Sequence, residues 1–264
     1  MAERILLFIP MYNCAAQIGR VIAQLTPEVQ SLFEEVIVVD NRSTDDGRSV
    51  AIGALEGMEI HARLLLNDAN LGLGGSHKVA FDHALANGFD YLVVLHGDDQ
   101  GRIADLCPHL RAGVHRDVDA LLGGRFMTGA RLEGYSRFRT LGNRLFNALY
   151  GFASGAEIKD LGAGLNLYRV GALTDRWWLR NADDLTFNYH MILRSVAAGW
   201  KLRFIPISWR EDDQVSNVKL VRQSLKVASL PFAYLLSRRR YLETDFSARR
   251  DGEYSSSPVF ENCA

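Results

Sequence analysis

Residues 91–100 read YLVVLHGDDQ, an apolar run that passes without a break into His96, Gly97, Asp98, Asp99 and Gln100. A short continuous apolar run of this kind, with no alternation, is the pattern of a strand buried on both faces. Three similar runs precede it: RILLFI at 4–9, closed by Pro10, EVIVVD at 35–40 and HARLLL at 61–66. Helical patterns separate them at 17–25, 48–55 and 75–87, the last stopped by Gly88. Strands alternating with helices predict an α/β fold with a mostly parallel sheet covered on both faces. In such sheets ligands bind beyond the carboxyl ends of the strands. Those ends carry Pro10-Met11-Tyr12-Asn13, Asp40-Asn41-Arg42-Ser43, Asn67-Asp68 and His96 to Gln100. Core packing alone does not require four polar strand ends on one edge.

The second half is less regular. Residues 139–152 form an amphipathic helical pattern, 159–169 a glycine turn with a short strand, 183–198 a helix stopped by Gly199, and 201–208 a strand. The polar stretch 210–217 reads as a loop. Residues 218–237 are helical and apolar on one side, followed by Arg238, Arg239 and Arg240, and the chain from 248 on is polar and is expected to be a flexible tail. The 264 residues hold 30 Lys plus Arg against 31 Asp plus Glu, a net charge of -1 that argues against a nucleic-acid-coating protein. Cys14, Cys107 and Cys263 are far apart and odd in number, which fits a reducing compartment. The first residues, MAERILLFIPMYN, read as a core strand and not a signal peptide. No stretch reaches the roughly 18–20 apolar residues of a spanning helix.

The cluster after the fourth strand has the donors of a hard divalent cation, since Mg²⁺ and Mn²⁺ take carboxylate and amide oxygens and share phosphates with substrate. Mn²⁺ tolerates an imidazole better. The competing reading is a polar turn. In VVDNRSTDDG at 38–47, Asp40 can accept hydrogen bonds from a ribose or base, while Ser43 to Asp46 serve as caps for the next helix. NLGLGGSHK at 70–78 is a glycine-rich turn into a helix that lacks the offset of a dinucleotide fingerprint. Its helix start can receive phosphate oxygens, and Lys78 reads equally as a phosphate ligand or a solvated helix lysine.

IPMYN, VVDNRSTDDG, NLGLGG and LHGDDQ, in that order, resemble family 2 glycosyltransferases of the GT-A fold, nearest the polyprenyl-phosphate (dolichyl-phosphate) mannose or glucose synthase branch. GGR at 123–125, SRFRTLGNR at 136–144, KDLGAGLNLYR at 159–169 and FIPISWREDDQVSNVK at 204–219 extend the likeness, which covers about residues 4–220. The resemblance implies a GT-A domain over 1–219; the residues beyond it read as an amphipathic segment over 220–247, open to a membrane-interfacial role, and the tail over 248–264. The resemblance assigns Pro10, Tyr12, Asn13, Asp40, Asn41, Gly74, Lys78, His96, Gly97 and Asp98 to the nucleotide sugar. Asp98 and Gln100, with His96 in place of the family's first Asp, fall to a Mg²⁺ or Mn²⁺ ion. Arg125, Arg137, Arg139 and Asn143 fall to the acceptor phosphate, and Arg210, Ser216 and Lys219 to a loop that closes over the diphosphate. Where many relatives have an acid after the Asn of the first loop, this chain has Cys14.

The implied reaction is an inverting transfer of a hexose from a UDP- or GDP-linked donor to a polyprenyl phosphate. The cation with Arg210 and Lys219 would stabilise the departing diphosphate. A phosphate acceptor needs positioning more than deprotonation, whereas a saccharide hydroxyl, the acceptor of surface polysaccharide assembly, needs a general base, with Asp183 or Asp184 as the candidates. Both acids read equally as caps of the following helix. A nucleotide-sugar-binding protein without turnover is the third reading, supported by His96. The expected partners are the nucleotide sugar, a lipid phosphate, a membrane surface or membrane protein, and a second copy of the chain, but no nucleic acid. The expected location is cytoplasmic, at the inner membrane face. The helix over 218–237 reads either as an interfacial helix or as one packed on the core.

Overall fold

In the computed structural model, which describes residues 3–211 and 220–262, the four apolar runs are the central strands. They are β1 (Ile5–Met11), β2 (Glu35–Asp40), β3 (His61–Asn67) and β4 (Tyr91–Leu95), mutually parallel in the order β3-β2-β1-β4. Every residue of β1, β2 and β4 is buried, as unalternated apolar runs require. The helices between them are α1 (Ala15–Ala23), the single turn α2 (Pro27–Gln30), α3 (Gly47–Leu55) and α4 (Gly72–Ala86). α4 starts three residues earlier than its sequence pattern, because Gly72 adopts φ +72° and opens the helix.

Beyond β4 come α5 (Cys107–Arg111), β5 (Ala120–Gly124), β6 (Arg131–Glu133), α6 (Arg137–Ser154) and β7 (Leu165–Arg169). α7 (Phe187–Ala197), β8 (Leu202–Pro206), β9 (Ser208–Arg210), α8 (Leu220–Leu236), α9 (Arg238–Glu243) and β10 (Ser256–Glu261) complete the chain. The main sheet has eight strands in the order β10-β3-β2-β1-β4-β7-β5-β8, with β7 and β10 antiparallel to their neighbours. β6 and β9 form a small second sheet.

Two expectations are corrected here. Residues 256–262, expected in a flexible tail, are ordered into the sheet: β10 extends it at the β3 edge, and Asn262 accepts the Ala62 amide at 2.9 Å while its own amide reaches Ile60 O at 2.9 Å. The helix expected from 183 starts at Phe187, because Asp184 Oδ1 takes the Thr186 amide (2.9 Å) and hydroxyl (2.6 Å) and holds a turn before it. The segment over 220–247 packs on the core along one side, as the second of its two readings expects, and leaves its other side exposed. Val227, Leu230, Tyr234 and Tyr241 are buried in the core, while Leu225, Phe232, Leu235 and Leu236 are exposed. Among the described residues no helix is long and apolar enough to cross a membrane.

Candidate active site

The carboxyl ends of β1 and β4 lie side by side because the two strands pair directly, and a cleft of about 590 Å³ opens above them. Two glycines let the backbones close in. Gly97 donates its N–H to Pro10 O at 3.1 Å, and a Cβ there would stand 2.8 Å from that oxygen. A Cβ on Gly164 would meet the His96 ring at 2.7 Å. Both positions therefore require glycine for close approach.

Pro10, Tyr12, Asn41, His96, Gly97, Asp98, Gln100, Arg125, Arg139 and Asp184 all line this cleft, so ten of the residues singled out in the sequence converge. Asn41 sits at the centre of an amide network. Its Oδ1 accepts the Leu71 N–H at 2.7 Å and Asn67 Nδ2 at 3.0 Å, and its Nδ2 donates to Asn70 Oδ1 at 2.9 Å. This network ties the ends of β2 and β3 to the start of α4. Cys14 also faces the cleft, and burial pushes its thiol up to about 12, so it is un-ionised at neutral pH.

Among the described residues no three His, Cys, Asp or Glu side chains converge tightly enough to hold a metal alone. Asp98, Gln100 and His96 nevertheless share the cleft wall. His96 Nε2 is buried without a hydrogen-bond partner, and burial, with Arg125 nearby, pushes the imidazole down to about 4. A neutral imidazole with an unpartnered nitrogen, one carboxylate and one amide oxygen fit a divalent cation whose remaining ligands are phosphate oxygens.

Other residues are placed differently from the sequence expectation. Lys78 is corrected: it is fully buried, and its ammonium donates to Asp183 Oδ1 (2.7 Å), Asn181 O (2.7 Å) and the Tyr254 hydroxyl (2.9 Å). No phosphate in the cleft can reach it. Gly74 also lies outside the cleft. Its N–H donates to Asp183 O at 2.7 Å, and a Cβ would stand 2.4 Å from Ala182 O, so the glycine serves helix packing. Asp40 is fully buried and holds Arg48 Nε (2.9 Å) and the Ser43 N–H (2.8 Å). Asn13, at φ +49°, accepts the Thr44 N–H at 2.8 Å and joins the first loop to the second. Both shape the loops from behind and do not line the cleft.

The cations are largely committed. Arg125 makes a bidentate pair with Asp160 (2.7 and 2.8 Å) and stacks over Trp209 with 4.8 Å to the ring centroid; burial disfavours its charge, but Asp160 outweighs it and raises its pKa. Arg139 pairs with Glu211 and lies over Tyr135, and Arg137, at the start of α6, is exposed and outside the cleft wall. Asn143 is outside the cleft wall and donates to the Tyr135 hydroxyl at 2.8 Å. Arg210 pairs with Asp99, and its N–H donates to Gln100 O at 3.0 Å. Asp184 takes an ion pair from Lys226; burial raises its carboxyl, but the bonds from Lys226 and Thr186 prevail and hold it below the usual range. Lys219 and Ser216 lie outside the described residues. Asp99, read from the sequence as part of the cation cluster, is instead paired with Arg20 and Arg210, while Asp160, Tyr189 and Glu211 have site positions or partners that were not assigned from the sequence. The acid of KDLG at 159–162 was the available signal for Asp160.

An eight-stranded α/β sheet with its cleft at the β1 and β4 ends, lined by a carboxylate, an amide and two arginines, has the layout of a glycosyltransferase of the GT-A fold. Residues 7–177 match glycosyl transferase family 2, and the chain belongs to that family. It is similar to the polyprenol monophosphomannose synthase of Mycolicibacterium smegmatis, with 24% identity over 247 residues, 90% of this chain and 91% of that protein. It is also similar to the undecaprenyl-phosphate 4-deoxy-4-formamido-L-arabinose transferase of Sodalis glossinidius, with 25% identity over 169 residues, 63% of this chain and 49% of that protein. Among solved structures, glucosyl-3-phosphoglycerate synthase from Mycobacterium tuberculosis, in complex with Mn²⁺, UDP-glucose and phosphoglyceric acid, superposes with a TM-score of 0.64. That match has 19% identity and covers 99% of this chain and 89% of the other.

Proposed function

We propose that the chain moves a hexose, with inversion, from a nucleotide-diphosphate sugar to a polyprenyl phosphate, assisted by Mg²⁺ or Mn²⁺. The observation that carries this reading is one cleft lined by Asp98, Gln100 and His96, whose buried Nε2 has no hydrogen-bond partner, together with Arg139 and Arg125. The names of the two relatives support a lipid-phosphate acceptor, and the Mn²⁺ and UDP-glucose of the structural neighbour support the donor class.

Asp98, Gln100 and His96 would hold the cation, which neutralises charge on the diphosphate leaving group. Pro10, Tyr12, Asn41 and Gly97 offer the wall for the nucleoside and sugar, with Asp40 and Asn13 fixing the loops behind them. Arg210 stands next to the metal loop through its pair with Asp99, and Lys219 is assigned the same leaving-group role. At the acceptor side, Arg139 would exchange Glu211 for phosphate oxygens, and Arg137 extends the positive charge outward. An acceptor phosphate is already an anion and needs orientation, not deprotonation. Asp184 agrees with this: a carboxylate held at low pKa by Lys226 is a weak base. The hydroxyl-acceptor reading requires that weak base to do more.

The test is calorimetric titration with UDP and GDP, each with and without Mn²⁺ or Mg²⁺, on the protein and on Asp98→Ala. One nucleotide should bind in a metal-dependent way that Asp98→Ala abolishes, and that nucleotide's hexose should then be transferred to polyprenyl phosphate. Transfer to a saccharide hydroxyl and not to the phosphate would overturn the acceptor; absence of nucleotide binding would overturn the donor.

A further inference from the structure

Phe138, Leu141, Leu145, Ala148 and Phe152 follow a spacing of three, four, three and four residues, which puts them on one face of α6. That face points away from the protein. Phe138 is 84% exposed, Leu141 68%, Leu145 71% and Phe152 78%, while the opposite face buries Asn147, Tyr150 and Ala153. Four large exposed apolar side chains on one stripe are uncommon on a surface that stays in water. The stripe is flanked by charge of one sign: Arg137 and Arg144 lie beside it, Arg139 lies on the cleft side paired with Glu211, and α6 has no acidic residue. α8 lies alongside, tied by the Tyr150 hydroxyl to Val227 O at 2.7 Å, and adds the exposed Leu225, Phe232 and Leu236. α9 then begins with Arg238, Arg239 and Arg240.

We propose that the outer face of α6, continued by α8, lies in the headgroup region of an anionic lipid bilayer. The apolar stripe enters the acyl boundary, and the arginines pair with lipid phosphates. A second copy of the chain is a poorer occupant, because α6 offers no carboxylate to meet the arginines of its twin. The face is continuous with the cleft: Arg139 lines the cleft wall and its neighbour Phe138 begins the stripe, with the exposed Leu185 and Tyr12 at the same opening. A bilayer against α6 would therefore present the phosphate of an embedded lipid at the cleft rim. The inference deepens the lipid-phosphate reading and rests on it for the identity of that lipid.

The experiment is flotation of the full chain with phosphatidylglycerol–phosphatidylcholine vesicles free of polyprenol, beside Leu141→Ser/Leu145→Ser/Phe152→Ser. These three side chains are exposed, so the variant should keep its circular dichroism and nucleotide affinity. The protein should float with anionic vesicles, less with pure phosphatidylcholine, and at least ten-fold less as the variant. Transfer to polyprenyl phosphate in vesicles should fall with it, while transfer to a short water-soluble prenyl phosphate stays. No flotation of the parent protein, or flotation unchanged in the variant, overturns the surface. A dimer in light scattering that the variant splits, without flotation, assigns the stripe to self-association and also overturns it. Flotation with no transfer to either phosphate removes the acceptor reading and leaves the surface.

Discussion

Lys78 Nζ lies 2.7 Å from Asp183 Oδ1 with the lysine side chain out of water, so the cation of the glycine-rich segment is spent inside the protein and not on a ligand. Burial pulls the Lys78 pKa down and Asp183 only partly restores it. Asp183 also accepts the Tyr254 hydroxyl (2.8 Å) and the Ala248 N–H (3.0 Å), so the pair pins the segment leading to β10 beneath the cleft. Removing Lys78 leaves the buried Asp183 with only the longer ion pair to Arg249 (3.6 Å) and its hydrogen bonds, a loss near the lower end of the range for broken buried pairs, about 3 kcal/mol. Lys78→Met should lose stability of that size in urea denaturation, while the folded protein binds nucleotide within two-fold of the parent. A large loss of nucleotide affinity with stability intact would return Lys78 to the ligand.

Gly74 makes the same point by sterics. A Cβ there would stand 2.4 Å from Ala182 O and 2.9 Å from two Phe187 side-chain atoms, all fixed parts of the α4–α7 packing. Gly74→Ala should therefore destabilise by at least the 1–3 kcal/mol, roughly, of an overpacked core. A thermal melt equal to that of the parent would show that the helices have room to part.

The central strands were legible because β1, β2 and β4 are buried on both faces and so carry no alternation to confuse with a helix. β10 was not legible. SSPVFE is short, polar and broken by Pro258, and only its place against the β3 edge makes it a strand. The glycines at 72–75 were visible as a turn, but whether a turn faces ligand or another helix depends on Asp183 and Phe187, more than a hundred residues away. The same holds for charge. Arg125 and Asp160, or Arg210 and Asp99, are each plausible ligand contacts alone, and only the fold shows that they face each other.

Asp99 holds two arginines at once. Arg20 Nε donates to its Oδ2 at 2.6 Å, and Arg210 pairs with the same oxygen, while the backbone sits at φ +58°. That conformation suits Asp or Asn. Asp99→Asn keeps it and removes the charge, so Arg210 should lose this ion pair beside the Asp98 loop. Metal-dependent nucleotide binding should weaken about ten-fold, or roughly 1.4 kcal/mol. Unchanged affinity by calorimetry would show that the Asp99 pair does not serve the donor site.

His190 supplies a pH signature of folding separate from the cleft. Its Nδ1 meets the Tyr241 hydroxyl at 2.6 Å, and the ring packs against Tyr241 and Phe246. Burial, then Arg194, pushes it down to about 3, with Lys226 and Lys78 adding to the effect and Asp184 opposing it. The unfolded chain takes up a proton near pH 6.5 that the folded chain refuses until about pH 3. Stability from this group is therefore complete above pH 6.5 and is lost as pH falls, at about 1.4 kcal/mol per unit. Between pH 7 and pH 5 the histidine should account for about 2 kcal/mol of the decline. His190→Gln keeps a polar partner for Tyr241 and cannot take up that proton. Urea denaturation of the two proteins at pH 7 and pH 5 should show the variant less stable at pH 7 but with the shallower decline; parallel declines would mean that His190 is already protonated in the fold.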